Sequence, residues 1–344
     1  MLEPLPAGAP PRHVGPYRLL GRLGSGGMGE VHLACRTEES TRRPGVDVDL
    51  GRLVAVKTVR EDLQVDEAFR ARFRREIDAA RAVRSPHAAG LLDGDSGARL
   101  PWLATEFVPG PSLAEAVDRS GPLSVGAVRA LGAALARALQ AVHAAQVLHR
   151  DLKPANVLLA GTGPKLIDFG IAQAFDATAL TSTGLIVGTP GFMAPEHLEG
   201  SRAVVPATDV FCLGALLAFA ATGRGPFDHA DGEMGAVIYR ISRADADLTA
   251  VPGELRDPIA ACLRLDPAER PTPEALLTLL GGDAPDPFPW PGEVLSLLAR
   301  HAEAARTCAR AATGAGAVAE LPTFGPAVPY SPTAAVDRPP AAPP

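Results

Sequence analysis

Apolar residues recur at helical spacing through the middle of the chain and then give way to a short polar stretch. Intervals of four, four and three residues predict an amphipathic helix through Leu131, Leu135, Leu139 and Val142. Its polar successor, HRDLKPAN at residues 149–156, is followed by three apolar residues. The pattern therefore predicts a helix, a polar loop and a short strand, and the loop holds a carboxylate, an ammonium and a carboxamide.

An earlier helical pattern carries one charge on its apolar face. At 100° per residue, Phe69, Phe73 and Ala80 fall within about 40° of one another, and Glu76 falls beside them. A carboxylate on such a stripe is costly unless a cation meets it. Lys57 ends the preceding apolar strand, and we therefore predict that Lys57 pairs with Glu76.

A glycine-rich turn, GSGGMGEV at residues 24–31, follows strand-like residues near the start of the chain. Such turns let backbone N–H groups approach phosphate. A dinucleotide fold would place a helix after the glycines, whereas a kinase loop would place a strand there. Val31 and Leu33, without a helical pattern, favour the strand and hence a hairpin. The sequence contains no G-x-x-x-x-G-K-[ST] string, which argues against P-loop NTPases.

The remaining pattern predicts two halves joined by a hinge. Residues 100–108 are strand-like and end in Pro109-Gly110-Pro111, after which Ser112 can cap a helix. The twelve uncharged residues from 210 to 221 predict a helix buried on all sides. Residues 37–51 are polar and predict a surface insertion.

Composition narrows the class of protein. The 344 residues allow two compact units or one bilobal unit with a tail, and a net charge of -6 gives no basic field for nucleic acid. The four cysteines are far apart without a C-x-x-C, which indicates reduced thiols and a cytoplasmic protein. The first sixteen residues do not resemble a signal peptide, and no uncharged apolar run reaches the roughly 18 residues of a membrane span.

Lysine is rare in this chain. Of the 33 basic residues only Lys57, Lys153 and Lys165 are lysine. Because an ammonium is a compact point charge, each retained lysine indicates a site where that charge matters.

The polar loop suits phosphoryl transfer, in which a hydroxyl is oriented and phosphate and metal charge is neutralised. Asp151 can accept a hydrogen bond from an incoming hydroxyl, Lys153 can meet a phosphate, and Asn156 offers a neutral oxygen to Mg²⁺. Asp168, in the later stretch KLIDFG, is a second carboxylate suited to a metal.

Taken together, residues 17–281 resemble the eukaryotic-type Ser/Thr protein kinases of bacteria, above all those of actinomycetes. The motifs that carry the resemblance are GSGGMGEV, Lys57, Glu76, HRDLKPAN, DFG at 168–170, GTP at 188–190, APE at 194–196 and DPAERP at 266–271. Phe211 departs from the Trp that many relatives outside bacteria carry. The resemblance implies an α+β bilobal fold with a small β-rich N-lobe and a larger, mostly helical C-lobe.

The implied boundaries are a Pro-rich lead at 1–16, an N-lobe at 17–106, a hinge at 106–111, a C-lobe at 112–281 and a Pro/Ala-rich tail at 282–344. The tail has one predicted helix, 293–312. The composition leaves two alternatives open for this region: a disordered or docking tail, and an Ala-rich helix packed on the domain.

The resemblance also implies the site. Asp151 would be the catalytic base, Lys153 would contact the transferring phosphate, Lys57 would contact the α- and β-phosphates of ATP, and Glu76 would hold Lys57. Asn156 and Asp168 would bind Mg²⁺ or Mn²⁺. The implied ATP-binding residues are Leu23, Gly24, Ser25, Gly26, Gly27, Met28, Gly29, Val31, Ala55, Lys57, Thr105, Glu106, Val108 and Leu158.

Regulation and substrate choice are implied as well. Arg150 can pair with a phosphate on the loop that follows Asp168, where Thr181 and Thr183 match the spacing of autophosphorylated threonines. Thr189 is typical of Ser/Thr specificity. Glu196 would pair with Arg270 beneath the substrate groove.

The implied activity is transfer of the γ-phosphate of ATP to Ser/Thr hydroxyls of proteins, with a transient homodimer for autophosphorylation in trans. A pseudokinase that binds nucleotide as a signalling scaffold is the alternative, and the intact Lys57, Asp151, Asn156 and Asp168 argue against it. A small-molecule kinase of related fold is disfavoured by the GTP and APE motifs, which build a protein-substrate groove.

Overall fold

A computed structural model describes residues 2–4, 12–26, 29–37, 49–59, 66–168, 190–200, 203–228 and 233–312. Within these ranges the chain forms a small lobe built on one antiparallel sheet and a larger lobe built mostly of helices. The bilobal α+β fold expected from the resemblance is therefore confirmed.

The sheet of the small lobe has the strand order β1-β3-β4-β5-β7-β6, and β2 also pairs with β3. Its strands are β1 (Glu3–Pro4), β2 (His13–Val14), β3 (Tyr17–Gly26), β4 (Gly29–Arg36), β5 (Leu53–Val59), β6 (Leu91–Asp95) and β7 (Trp102–Glu106). The described part of the lead thus joins the sheet, since β1 pairs with Gly21 and Arg22 of β3.

Opposite faces of the sheet bury different residues because side chains alternate along a strand. Val54, Val56 and Ala104 pack on one face with Tyr17 and Trp102, whose rings meet edge to face at 5.7 Å. The other face faces the large lobe and carries the candidate site.

Helix α1 (Glu67–Ala80) packs beside the sheet and buries the predicted stripe. Asp66 caps its first turn by accepting a hydrogen bond from Phe69 N–H at 2.7 Å. Phe69, Phe73 and Ala80 are buried, as the periodicity predicted, together with Ile77.

The large lobe contains helices and one short hairpin. The helices are α2 (Leu113–Ser120), α3 (Val125–Ala144), α4 (Pro206–Thr222), α5 (Met234–Ser242), α6 (Gly253–Cys262), α7 (Pro273–Leu279) and α8 (Gly292–Ala312). The hairpin pairs β8 (Val157–Ala160) with β9 (Gly163–Leu166). Ser112 caps α2 through Glu115 N–H at 3.1 Å, as predicted.

Two apolar helices form the centre of this lobe. Every residue of α4 from Thr208 to Ala221 is buried, which confirms the prediction for the uncharged run. Helix α3 is long and apolar enough to cross a membrane, but most of it is buried within the fold, where it contacts α4, α7 and β9.

Candidate active site

The glycine-rich turn forms the hairpin that the sequence favoured. Strand β4 follows the glycines directly, and Gly24 lies opposite Val31. At Gly29 a side chain is excluded, because a Cβ would lie 1.8 Å from the carbonyl oxygen of Thr58 on β5. Position 29 therefore carries no side chain at this end of the cleft, as a phosphate-binding turn requires.

One face of the sheet gathers the residues predicted to contact a nucleotide. Val31 lies opposite Lys57, and Ala55 lies opposite Thr105, so these four side chains share a face. Leu158 lies on β8 of the large lobe. Each of these five residues is only partly buried, so each retains surface that a ligand can contact.

Lys57 pairs with a carboxylate of the large lobe. Its Nζ lies 3.0 Å from Asp168 Oδ2, and 14% of the Lys57 side chain is exposed. This differs from the expected Lys57–Glu76 pair, which is not among the ion pairs of the described residues. Both carboxylate oxygens of Glu76 are buried. Helical periodicity could not predict Asp168 as the partner of Lys57, because periodicity relates only residues near each other in sequence and Asp168 is 111 residues from Lys57.

The polar loop folds into a hydrogen-bonded group around Asp151. Lys153 Nζ donates to Asp151 Oδ1 and Oδ2 at 3.0 and 2.8 Å. The Asn156 amide nitrogen donates to the carbonyl oxygen of Asp151 at 2.8 Å and to Oδ2 at 3.0 Å. Since 43% of the Asp151 side chain remains exposed, the carboxylate is held in place and still open to a hydroxyl.

Two hydrogen bonds tie this loop to the strand that ends at Asp168. The N–H of Ile167 donates to the Asn156 carbonyl oxygen at 3.0 Å, and His149 Nε2 bonds the Ile167 carbonyl oxygen at 3.1 Å. Burial lowers the pKa of His149, which favours a neutral ring that donates from Nε2 and accepts the Asp151 N–H at Nδ1. Asp151, Asn156 and Asp168 are therefore parts of one connected group.

Asp209, at the start of α4, binds the backbone of the polar loop at residues 149–156. This fully buried carboxylate accepts hydrogen bonds from the N–H groups of His149 and Arg150, both at 2.9 Å, and from His143 Nε2 at 2.7 Å. Burial by itself would raise the pKa of Asp209, but the hydrogen bond from His143 and the nearby imidazoles and N–H groups outweigh it and lower the pKa. Asp209 is thus an ionised acceptor inside the protein.

Arg150 carries local strain that these contacts maintain. Its φ is 68°, in the left-handed region that is unfavourable for a residue with a Cβ. Asp209 binds its N–H, and His197 Nε2 bonds its carbonyl oxygen at 3.0 Å. Asp168 also has a positive φ, 59°. Both residues border the group around Asp151, so the strain lies at the candidate site.

The donor set fits a hard divalent cation. The amide nitrogen of Asn156 donates to Asp151, so the amide oxygen is left for another ligand. Asp168 supplies a carboxylate. Two oxygen donors from the protein suit Mg²⁺, which keeps several waters and binds through substrate phosphates.

Comparisons with known proteins find a matching family and similar kinases. The family model described as protein kinase domain matches residues 17–279. The Ser/Thr-protein kinase AfsK of Streptomyces coelicolor is 47% identical over 266 residues, which cover 77% of this chain and 32% of AfsK. The probable Ser/Thr-protein kinase PkwA of Thermomonospora curvata is 46% identical over 283 residues, which cover 82% of this chain and 36% of PkwA.

The chain belongs to the protein kinase domain family. It spans about a third of the length of AfsK and PkwA, and 70% of the Mycobacterium tuberculosis Ser/Thr-protein kinase PknA, to which it is 34% identical over 313 residues. A kinase domain implies use of ATP, generally with a divalent metal.

In this kinase domain the expected Glu196–Arg270 pair is confirmed. Arg270 donates to both carboxylate oxygens of Glu196, at 2.6 and 3.0 Å, and both residues are buried. The guanidinium also lies 4.8 Å from the centroid of the Phe211 ring. The pair joins the APE motif to the end of the kinase domain.

The third lysine also has a specific partner, which the sequence did not reveal. Lys165 Nζ donates to Glu106 Oε1 and Oε2 at 2.8 and 3.0 Å. The pair joins the hinge of the kinase domain to the hairpin that leads to Asp168. The rarity of lysine in this chain marks Lys165 as unusual, but no local pattern indicates its partner, which lies 59 residues away.

Asp209 is the supporting residue that sequence reasoning missed. A signal was present, because a carboxylate in an apolar helix needs compensation just as Glu76 does. The partners of Asp209 are two backbone N–H groups and a histidine, so no cation in the sequence points to it.

Several predicted positions lie outside the residues that the structure describes. They are Gly27 and Met28 of the glycine-rich turn, Phe169 and Gly170, Thr181, Thr183 and Thr189, the insertion residues 38–48, and the end of the tail, 313–344.

We expect Asp209→Asn to slow phosphoryl transfer at least tenfold while the Kd for ATP changes less than twofold. Asn has one acceptor oxygen, so a buried N–H of the catalytic loop loses its partner, at a cost of about 1–3 kcal/mol. Steady-state kinetics with Asp257→Asn as the matched, exposed control measures this effect. An unchanged kcat would contradict the positioning role.

The same variant should change the dependence of stability on pH. A lowered pKa in the folded state means that ionised Asp209 stabilises the fold above its unfolded pKa, and that this contribution is lost as the pH falls through the folded pKa. The stability difference between wild type and Asp209→Asn should therefore be largest near neutral pH and shrink in acid.

Proposed function

We propose that this protein transfers the γ-phosphate of MgATP to Ser and Thr hydroxyls of proteins. The observation that carries the proposal is the connected group of Lys57, Asp168, Asn156, Asp151 and Lys153 at the junction of the two lobes. The names of AfsK, PkwA and PknA support the choice of Ser/Thr.

Each side chain then has a stated task. Asp151, oriented by Asn156 and Lys153, accepts the proton of the incoming hydroxyl. Lys57 binds the α- and β-phosphates, and Lys153 meets the transferring phosphate. Asn156 and Asp168 would hold Mg²⁺, which would neutralise phosphate charge when bound.

The nucleotide base would lie between the lobes. Val31 and Ala55 would cover one side of adenine and Leu158 the other, Thr105 would line the back, and the hinge would offer the Glu106 carbonyl and the Val108 amide. Glu76 would assist Lys57 from α1, where both of its carboxylate oxygens are buried.

Incubation with γ-labelled ATP and Mg²⁺ tests the proposal. We expect label on the wild-type protein and on a Ser/Thr-containing protein such as casein, and a loss of at least a hundredfold in Lys57→Met. The exposed cation Arg243 gives the matched control, Arg243→Met, which should keep full activity. A wild type that binds ATP but transfers no phosphate would instead support a nucleotide-binding scaffold.

We further propose autophosphorylation at Thr181 and Thr183, in trans within a transient homodimer. Arg150 supports this, because its Nη1 is buried without a hydrogen-bond partner in the described part of the chain. A phosphate with a charge of about -1.5 to -2 would supply that partner. Mass spectrometry of the labelled protein should find both sites, and replacing both with alanine should lower the rate.

A further inference from the structure

Helix α8 packs on the sheet face that carries the candidate nucleotide site. Ala305, Cys308 and Ala309 are buried in one cluster with Leu20, Leu33, Cys35 and Leu53 of the small lobe. Leu33 lies two residues after Val31, and Leu53 lies two residues before Ala55, so each points to the same side as its neighbour. The helix therefore covers a direct continuation of the surface proposed to meet adenine.

The approach between α8 and β3 is close enough to require small residues. A Cβ at Gly21 would lie 2.7 Å from Cys308 Sγ, and the Cys308 thiol is 3.5 Å from the Leu20 carbonyl oxygen. Leu23, which begins the glycine-rich turn, and Phe107 of the hinge pack against the same cluster. A change in the position of α8 would thus alter the packing of both the glycine-rich turn and the hinge, which border the cleft.

The first half of α8 is fixed to the large lobe. Just before the helix, Trp290 Nε1 donates to the Ala160 carbonyl oxygen at the β8–β9 turn, at 2.7 Å. Val294 is buried in the main cluster of that lobe, and Leu298 packs beside it. His301 Nε2 lies 3.2 Å from Glu115 of α2. One helix therefore contacts both lobes and, through Phe107, the hinge between them.

This helix lies beyond the segment that the kinase family model matches, which ends at residue 279. We propose that α8 is a positioning element of the nucleotide site, which holds strands β3–β5 against the large lobe so that ATP meets a preformed cleft. The proposal rests on the proposed function.

The expected effect follows from the population of the preformed cleft. When only a fraction f of the molecules has the binding-competent arrangement, the apparent Kd rises by 1/f. Ala305→Glu places a carboxylate in an apolar cluster and should undock the second half of α8. We expect the Kd and KM for ATP to rise about tenfold, with kcat within about twofold, since saturating ATP restores the closed arrangement.

Two further variants make the test specific. Ala299→Glu adds the same charge at an exposed position of α8 and should leave the Kd unchanged. Leu298→Ala shortens the contact at the other end, where the Leu298 side chain approaches the backbone of hinge residue Gly110, and should raise the Kd about threefold. If α8 merely stabilised the small lobe, the Kd would rise in Ala305→Glu and would stay unchanged in Leu298→Ala.

The measurements are titration of a fluorescent ATP analogue with Mg²⁺, KM and kcat on a protein substrate, and thermal unfolding, all with the full chain. A Kd equal to wild type in both Ala305→Glu and Leu298→Ala, or tighter binding in either, would overturn the role of α8 while leaving the proposed function intact. If Ala305→Glu does not fold, Leu298→Ala decides the matter. A wild type that binds no nucleotide would overturn both proposals.

Discussion

Replacing Asp151 with Asn should lower kcat for phosphoryl transfer by about a thousandfold, within the 10²–10⁴ range of general-base catalysis. The Asn side chain keeps nearly the same shape but loses the negative charge that accepts the hydroxyl proton. The Kd for MgATP should change less than twofold, because Asp151 contacts Lys153 and Asn156 and is not among the predicted nucleotide contacts.

Rapid mixing with a defined peptide substrate would separate the chemical step from product release. Asp118→Asn, an exposed substitution on α2, is the matched control and should behave as wild type. If Asp151→Asn kept more than a tenth of the wild-type rate, Asp151 would not be the base. A large rise in the Kd for MgATP would instead indicate that the variant disturbs the cleft.

Replacing Arg270 with Met should lower the free energy of unfolding by about 3–5 kcal/mol, because it leaves the buried Glu196 carboxylate without its cation. Arg270 also donates to the carbonyl oxygens of Arg264, Leu265 and Ala207, and these acceptors lose their donor. Urea unfolding monitored by circular dichroism measures the change, with the exposed neighbour Arg264→Met as the control.

The double variant Glu196→Met/Arg270→Met tests the cause. Removing both charges should recover part of the lost stability, because an apolar pair needs no compensation. In wild type, burial would raise the pKa of Glu196, but the hydrogen bonds from Arg270 and Thr208 outweigh it and lower the pKa. Without Arg270 burial should raise that pKa instead, so the deficit of the single variant should shrink as the pH falls and Glu196 takes up a proton. A double variant less stable than Arg270→Met would contradict this account.

Local pattern was sufficient wherever a residue's environment depended on its sequence neighbours. The stripe Phe69, Phe73 and Ala80 is buried because helical periodicity alone brings these side chains together. The run ending at Ala221 is buried because an apolar helix has no face for water. The strand after the glycines followed from Val31 and Leu33, and the hairpin formed as predicted.

Local sequence pattern was insufficient wherever a charged side chain had several possible partners far away in the sequence. Glu76, Asp151 and Asp168 could each have met Lys57, and sequence spacing favoured Glu76, whereas the structure places Asp168 at 3.0 Å. Lys165 and Asp209 likewise met partners 59 or more residues away. The choice among such partners depends on how the lobes lie against each other, and local spacing carries no information about that.

The sequence by itself determined the kinase motifs and the residue types of the site, because these can be read from short stretches of the chain. The resemblance of those motifs to a known family implied the bilobal α+β fold. Only the tertiary structure decided that Lys57 binds Asp168, that Asp209 holds the catalytic loop, and that the C-terminal helix packs on the domain. Composition had left that last choice open, since an Ala-rich helix is stabilised by the surface it covers. That surface, built from β3, β4 and β5, exists only once the sheet has folded.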